Sequence, residues 1–278
     1  MTALVRPRDL GEALATRAAH PDWMVLAGGT DLMVSAHHKP EPAGILDLWR
    51  LRDLGAITRT DRGVAIGAGA TWLEVSRHAD IVATWSPLAL AAREIGALQI
   101  QARGTLGGNV GTSSPVGDSL PALLALDAEL VLASVRGHRR VAYRDYCTGY
   151  RKTQLAADEL IVAAHLPRPA PGTQLHWRKV GTRRAQSISK MMAAAAIVVD
   201  GGVVRDATIA LGAVADRPIR VAAVEQAVRG LSLARASEAA RAATLAAIRP
   251  IDDVRSTAVY RSEVAANVVA RFFHLAGA

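Results

Sequence analysis

Cysteine is almost absent from this chain of 278 residues, because Cys147 is the only one. One cysteine excludes an internal disulfide, and it cannot supply the four thiolates that hold an iron–sulfur cluster. Any such cluster therefore belongs to another chain. Cys147 could act as a nucleophile or as a covalent attachment point, but a lone cysteine is more often a packed structural thiol.

Long apolar runs are also missing. The longest uninterrupted one, residues 191–199, is far shorter than the roughly 20 residues that an α-helix needs to cross a bilayer. Charged residues from Arg6 onward interrupt any apolar signal segment near the N-terminus. The sequence therefore predicts no membrane span, and we expect a cytoplasmic protein.

Aromatic residues make up only 4% of the chain while 50% is apolar, so we expect a core of Ala, Val, Ile and Leu. Lys and Arg outnumber Asp and Glu by 33 to 25, and the formal net charge is +8. Such a balance suits nucleic acid, an anionic ligand or an acidic partner. Because the cations are scattered and not interleaved with aromatic residues, the pattern disfavours nucleic acid.

Short apolar runs alternate with glycine-rich turns in the first half of the chain. Residues 23–27 predict a strand, residues 28–31 a loop and residues 32–37 a helix. Residues 64–68 repeat the strand pattern. The Thr-x-x-Glu spacing at residues 71–74 is typical of a capping box, so another α/β unit is expected there.

A second glycine-rich stretch, residues 104–109, predicts a loop. It precedes a predicted helix at residues 118–126 and a predicted strand at residues 129–133. Prolines and a glycine between residues 167 and 172 form the clearest break in the chain. We therefore expect two domains, which are residues 1–170 and residues 171–278.

The second predicted domain has an α+β pattern. Strands are expected at residues 175–180, 192–199 and 207–214, and two helices follow them. The last helix has one apolar face, formed by Val264, Val268, Phe272, Ala265, Val269 and Phe273 at four-residue spacing. Asp252 or Asp253 is expected to cap its start.

The first glycine motif consists of Gly28, Gly29, Thr30 and Asp31, between a strand and a helix. Such a loop can turn its backbone N–H groups toward an anion at the positive end of the helix. Thr30 adds a hydroxyl donor, whereas Asp31 is better suited to capping the helix. A purely structural turn explains this motif equally well.

The second glycine motif favours a ligand-binding site over a purely structural turn. Gly104, Gly107, Gly108 and Gly111 are interleaved with polar Thr105, Asn109, Thr112, Ser113 and Ser114. Two such stretches suit a long ligand such as a dinucleotide, which has a pyrophosphate, hydroxyl groups and ring systems. Asp118 could accept from ligand hydroxyls or cap the next helix.

Other chemistries lack their motifs. Gly67 and Gly69 are not followed by the third glycine of a Rossmann fingerprint, so no NAD site is predicted. His37 and His38 are adjacent and have no Cys/His cluster beside them, which favours a surface loop over a metal site. The chain contains no Gly-x-Ser-x-Gly elbow, and this disfavours a hydrolase. We predict neither a metal ligand nor a catalytic side chain.

Two motifs together resemble those of a known family, the FAD-binding subunits of molybdenum hydroxylases such as bacterial xanthine and carbon monoxide dehydrogenases. The first is Leu26-Ala27-Gly28-Gly29-Thr30-Asp31-Leu32, and the second runs from Thr105 to Asp118 as Thr-Leu-Gly-Gly-Asn-Val-Gly-Thr-Ser-Ser-Pro-Val-Gly-Asp. The similarity extends nearly end to end, through residues 149–153, 158–161, 178–190 and 252–261. Residues 178–190 are especially similar to those of xanthine dehydrogenase relatives.

The resemblance implies an α+β fold, in which a two-part FAD-binding α/β domain of the PCMH type precedes a smaller α+β domain. It also implies a set of cofactor-binding residues, with the last two nearer the flavin. These residues are Leu26, Ala27, Gly28, Gly29, Thr30, Asp31, Leu32, Thr105, Gly108, Asn109, Thr112, Ser114, Asp118, Ile161 and Lys179.

The function that the resemblance implies is electron transfer within a larger complex. A large subunit would hold the molybdenum–pterin cofactor and hydroxylate the substrate, and a small subunit with two [2Fe–2S] clusters would pass electrons to FAD. We expect a dimer of heterotrimers, a xanthine dehydrogenase-like complex, and NAD, oxygen, quinone or a carrier protein as acceptor. The alternatives are a self-contained FAD-dependent oxidase or reductase and a basic binding module without redox activity.

Overall fold

Three short parallel strands form the first sheet, in the order β1-β3-β2. Its elements are β1 (Ala3–Val5), α1 (Leu10–Ala19), β2 (Met24–Leu26), α2 (Leu32–Ser35) and β3 (Gly44–Asp47). This computed structural model describes residues 2–35, 38 and 40–277. The predicted strand before the first glycine motif is confirmed. The predicted helix after it is observed as α2, and His37 lies outside the described residues.

Five antiparallel strands form the second sheet, in the order β4-β5-β10-β6-β7. They are β4 (Ile57–Thr60), β5 (Gly63–Gly67), β6 (Glu129–Ser134), β7 (Gly137–Ala142) and β10 (Leu160–Pro167). A short helix α9 (Tyr143–Tyr146) and the hairpin of β8 (Cys147–Gly149) and β9 (Lys152–Thr153) precede β10. Because β10 is the central strand, Ile161 lies in the middle of the second sheet.

Six short helices lie between β5 and β6. They are α3 (Trp72–Arg77), α4 (Ala79–Thr84), α5 (Ser86–Glu94), α6 (Leu98–Gln101), α7 (Leu106–Thr112) and α8 (Leu120–Ala125). The capping box predicted at α3 is confirmed, because the side chains of Thr71 and Glu74 bond each other's backbone N–H groups.

Helix α7 corrects one expectation, because its residues were predicted to form a loop. Glycine is a weak helix former, and α7 contains three of them. The helix forms because the Thr105 side chain caps it and because Leu106 and Val110 are fully buried. Tertiary packing therefore outweighs local propensity in this segment.

Four antiparallel strands in sequential order form the third sheet. They are β11 (Thr173–Val180), β12 (Met191–Asp200), β13 (Val203–Gly212) and β14 (Ile219–Arg220). Three helices follow, and they are α10 (Ala222–Val228), α11 (Leu233–Ala247) and α12 (Ala258–Leu275). The expectation of two helices was wrong, because a turn at Gly230 with φ of +78° separates α10 from α11.

The third sheet packs on both faces. Alternate residues of a strand point to opposite sides, so Ala194 of β12 joins the core of the first half while Ala193 and Ala195 join the core beneath α10–α12. Helices α5 and α8 contact this sheet on the first side. The small side chains of β12 allow both layers to approach it closely, and one core contains residues from both halves of the chain, including Trp177, Ala194 and Ala210 of the second half.

The start of α12 differs from the expectation. Thr257 is the N-cap, and its side chain accepts from the Tyr260 amide. Asp252 accepts from the Ala258 amide, while Asp253 binds the buried Arg261. Both acidic residues thus stabilise the entry to the helix without occupying the cap position. In the described part of the chain, no helix is long and apolar enough to span a membrane.

Candidate flavin-binding cleft

Both glycine motifs line one cleft of about 1770 Å³. Leu26 of β2 and Lys179 of β11 do not line this cleft. The other predicted cofactor-binding residues all line it. They are Ala27, Gly28, Gly29, Thr30, Asp31, Leu32, Thr105, Gly108, Asn109, Thr112, Ser114, Asp118 and Ile161.

The first glycine motif presents unused backbone donors to the cleft. The N–H groups of residues 28–31 donate to no other described residue. Gly29 has φ of +75°, which glycine adopts without steric cost. Successive free N–H groups in such a turn form a concave site for an anion. The loop can therefore hold a phosphate group at this end of the cleft.

The second motif contributes differently, because its amides already have protein partners. The Gly108 amide donates to Thr105 Oγ1 at 3.1 Å, and the Gly107 amide donates to the Ala68 carbonyl at 2.7 Å. A Cβ on Gly107 would lie 2.7 Å from that of Ala68. Its glycines thus allow close packing of α7 on β5, and the polar side chains of α7 supply the groups that face the cleft.

The two motifs touch each other directly. A Cβ on Gly28 would lie only 1.7 Å from the Arg103 carbonyl oxygen, so only glycine fits between the two stretches. Thr112 Oγ1 donates to Asp31 Oδ2 at 3.4 Å. Asp31, which was expected to cap a helix, directly precedes α2, and its carboxylate also links the two sides of the cleft.

Other polar side chains of the second motif are oriented by their neighbours. Asn109 Oδ1 accepts from Ser119 Oγ at 2.6 Å, and Ser114 Oγ accepts from the Val116 amide at 3.4 Å. With its carbonyl oxygen occupied, Asn109 keeps two amide N–H donors for a ligand. The helix end therefore offers donors at defined positions.

Asp118 joins the cleft wall to the third sheet. Its Oδ2 lies 2.7 Å from Lys179 Nζ, and its Oδ1 accepts from Ser189 Oγ at 2.6 Å. Lys179 also donates to the Glu94 carbonyl at 3.0 Å. Burial raises the pKa of the Asp118 carboxyl, and Lys179 and Ser189 oppose this rise. Asp118 does not cap α8, whose N-cap residue makes no side-chain bond to the helix.

Cys147 lies outside the residues that line the cleft and is half-buried. Its Sγ is 3.2 Å from Ser113 Oγ and 3.6 Å from the Tyr143 hydroxyl oxygen. This environment favours a packed structural thiol. Among the described residues, no group of three or more His, Cys, Asp and Glu side chains could hold a metal ion.

Arginine and tryptophan residues in and beside the cleft were not predicted as binding residues, because most of them occur outside the two glycine motifs and the other matching stretches. Arg103 stacks on the ring of Trp49 with its guanidinium carbon 3.7 Å from the ring centroid. Burial lowers the pKa of Arg17, whose guanidinium donates to the Trp23 carbonyl at 2.8 Å. The positive charge of the arginines in the cleft wall favours an anionic ligand. These arginines are Arg17, Arg50, Arg52, Arg151 and Arg255.

Comparison with protein families assigns both halves of the chain. Residues 1–169 match the FAD binding domain in molybdopterin dehydrogenase. Residues 177–276 match the CO dehydrogenase flavoprotein C-terminal domain. The first match alone covers more than half of the chain.

Individual relatives agree with this assignment. The chain is 32% identical to the nicotinate dehydrogenase FAD-subunit of Eubacterium barkeri, over 82% of this chain and 79% of that protein. It is 32% identical to the glyceraldehyde dehydrogenase medium chain of Sulfolobus acidocaldarius, over 94% of this chain and 92% of that protein. A CO dehydrogenase from Oligotropha carboxidovorans superposes with a TM-score of 0.92 at 27% identity, covering 98% of this chain and 96% of that one. The chain therefore belongs to the family of FAD-binding subunits of molybdenum hydroxylases, as its two glycine motifs indicate.

Proposed function

We propose that the cleft binds one FAD without a covalent bond and that the chain transfers electrons within a molybdenum hydroxylase. The observation that carries this proposal is the row of free N–H groups at residues 28–31, in a cleft that both glycine motifs line. Those donors match the pyrophosphate of a dinucleotide. Cys147, the only thiol, lies apart from the cleft wall and offers no attachment point there.

The residues of the cleft fit FAD in size and chemistry. A volume of about 1770 Å³ exceeds the roughly 300–1,000 Å³ of ordinary small-molecule pockets and suits an extended dinucleotide. Thr30, Asn109 and Thr112 provide polar side chains for hydroxyl and phosphate groups. Apolar residues of the wall suit a flat ring system, and they include Ile95, Val116, Ile161 and Ile188.

Bound FAD supplies the redox chemistry, because a flavin accepts electrons singly or as a pair. The first motif would hold the pyrophosphate, and Ile161, which is 8% exposed, would help to exclude water from the ring. The chain also places the Asp118–Lys179 pair in and just behind the cleft wall. None of these roles needs a nucleophilic side chain.

The partners follow from the family. Relatives are FAD subunits or medium chains of dehydrogenases. In the proposed complex, a large subunit holds the molybdenum cofactor and a small subunit holds the [2Fe–2S] clusters. A dimer of heterotrimers and a cytoplasmic location stay predictions. The substrate would bind to the large subunit. We favour a xanthine dehydrogenase-like complex because of residues 178–190, and the xanthine dehydrogenase FAD-binding subunit of Escherichia coli O157:H7 is 32% identical to this chain.

The test uses the isolated chain and the reassembled complex. Acid precipitation of the isolated chain should release about one equivalent of FAD, and metal analysis should find neither molybdenum nor iron. Purines, aldehydes, N-heterocycles and carbon monoxide are then added without oxygen while flavin bleaching is followed. Bleaching should require the complete complex. Bleaching of the isolated chain would support a self-contained flavoenzyme, and a chain that binds no FAD would support a basic binding module.

A further inference from the structure

A buried ion pair links the third sheet to the cleft. The ammonium of Lys179 lies 2.7 Å from Asp118 Oδ2, and the two side chains are only 4% and 11% exposed. The hydroxyl of the fully buried Ser189 donates to the other carboxylate oxygen at 2.6 Å. Lys179 and Ser189 stand on either side of the segment that connects β11 to β12, so both ends of this segment are anchored to one carboxylate.

The cleft wall near this pair includes apolar side chains. Asp118 lines the cleft together with Val116, two residues before it. Ile95 and Ile188 also line the cleft, and each is next in sequence to a residue that bonds the pair, Glu94 or Ser189. A charge in apolar surroundings acts over a longer range than one in water. A ring lying against this part of the wall therefore experiences any imbalance of charge in the pair.

We infer that Lys179 and Asp118 form a charge-neutral pair that sets the reduction potential of the bound flavin, with Ser189 as a positioning residue. This inference rests on the proposed binding of FAD in the cleft. Reduction of FAD near neutral pH takes up two electrons and one proton, so the ring becomes more negative by one unit. A net positive charge in the wall stabilises that state, and a net negative charge destabilises it.

The two single substitutions must therefore act in opposite directions. Asp118→Asn keeps the shape of the side chain and leaves the ammonium unbalanced, which raises the potential. Burial raises the pKa of the neighbouring Glu94 carboxyl, and Lys179 opposes this rise. Lys179→Met removes the ammonium and leaves the carboxylate, which lowers the potential. In the double variant the wall is neutral again, and its potential returns toward that of the native chain.

The measurement is the midpoint potential of FAD bound to the full chain at about pH 8. This pH lies well above the ordinary pKa of a carboxyl group, so it favours the ionised Asp118 even though burial raises its pKa. Each single variant should change the ratio of affinities for reduced and oxidised FAD by about tenfold, which is about 30 mV for a two-electron couple. Ser189→Ala keeps both charges but removes a hydrogen bond to the carboxylate. It should lower the midpoint potential by a smaller amount. If Lys179→Met does not fold, this variant still tests the expected decrease in potential.

Matched controls remove equal charges far from the cleft. Arg241 and Glu263 form an exposed pair between α11 and α12, 2.6 Å apart, and neither lines the cleft. Glu263→Gln and Arg241→Met should leave the potential unchanged. FAD stoichiometry is determined first, so a native chain without FAD refutes the proposed function itself. If FAD binds but Asp118→Asn and Lys179→Met shift the potential in the same direction, or not at all, the inference about the ion pair is wrong.

Discussion

Replacing Gly28 by alanine tests whether contact between the two glycine motifs shapes the cleft. The new Cβ would lie 1.7 Å from the Arg103 carbonyl oxygen and 2.5 Å from its carbonyl carbon. Real Cβ atoms essentially never come closer than 3.0 Å, so the first loop has to move by more than about 1 Å. Arg103 is not free to yield, because its amide and that of Gly104 both donate to the Ile100 carbonyl.

The size of the effect follows from that displacement. Overpacking a well-packed site destabilises a protein by about 1–3 kcal/mol. The shift also moves the free N–H groups of residues 28–31 away from the position of the ligand phosphate. A loss of about 1.4–2.8 kcal/mol in binding corresponds to FAD affinity that is about tenfold to a hundredfold weaker.

Gly29→Ala is the matched control for this substitution. Its Cβ would meet only Leu26 Cδ1 at 3.4 Å and Met33 Cγ at 3.6 Å, which are ordinary contacts. The remaining effect is the left-handed backbone at φ of +75°, which costs an alanine about 1–2 kcal/mol. Gly29→Ala should therefore destabilise the chain and weaken FAD binding less than Gly28→Ala does.

Two assays separate stability from binding. Thermal melts of the FAD-free variants report the cost of the displaced loop, and FAD titrations followed by flavin fluorescence report the dissociation constants. Because a ligand stabilises the state that binds it, melts with excess FAD provide a second estimate of affinity. If Gly28→Ala melts and binds FAD like the native chain, contact between the motifs does not shape the cleft, and our reasoning about Gly28 is refuted.

Three further predictions concern binding, capping and pH. Gly29→Val should weaken FAD binding in titrations more than Asp31→Asn, because a branched side chain strains the turn and blocks the phosphate. Thr105→Val should lower the free energy of unfolding in urea by about 1 kcal/mol, because the Gly108 amide loses its cap. Burial lowers the pKa of His176, so the native state favours the neutral ring. The native chain should lose stability as the pH falls below about 6.5, and His176→Leu should lose less.

Each of these predictions has an outcome that contradicts it. Stronger loss of FAD binding in Asp31→Asn than in Gly29→Val would remove the phosphate site at the first motif. Unchanged stability of Thr105→Val would mean that packing of Leu106 and Val110 alone holds α7. Parallel pH dependence of the native chain and His176→Leu between pH 7 and 5 would show that another group controls acid stability.

Features that depend on a few neighbouring residues could be predicted from the sequence. The capping box at Thr71 and Glu74 needs only a spacing of three residues, and the structure contains it. The strand before the first glycine motif follows from its apolar run, and the apolar face of α12 follows from its periodicity. The two motifs together also identified the family and its cofactor, because their glycines and polar residues occur in a specific order.

Other features could be read only from the tertiary structure. Helix α7 was predicted as a loop, because its glycines disfavour a helix and the burial of Leu106 and Val110 is not visible locally. The arginines of the cleft come from four separate stretches of the chain, and none of them lies in either glycine motif. The role of Gly28 depends on the Arg103 carbonyl, which comes near only when the two stretches pack.

The sequence by itself thus determined the two glycine motifs, the absence of a cluster-binding cysteine set and the family. Tertiary structure alone decided that Asp118 meets Lys179 and Ser189, residues 61 and 71 positions further along the chain. The physical reason is the range of the interactions. Caps, turns and periodic faces arise from contacts within about four residues. A buried ion pair between distant segments exists only after the third sheet has packed against α5 and α8.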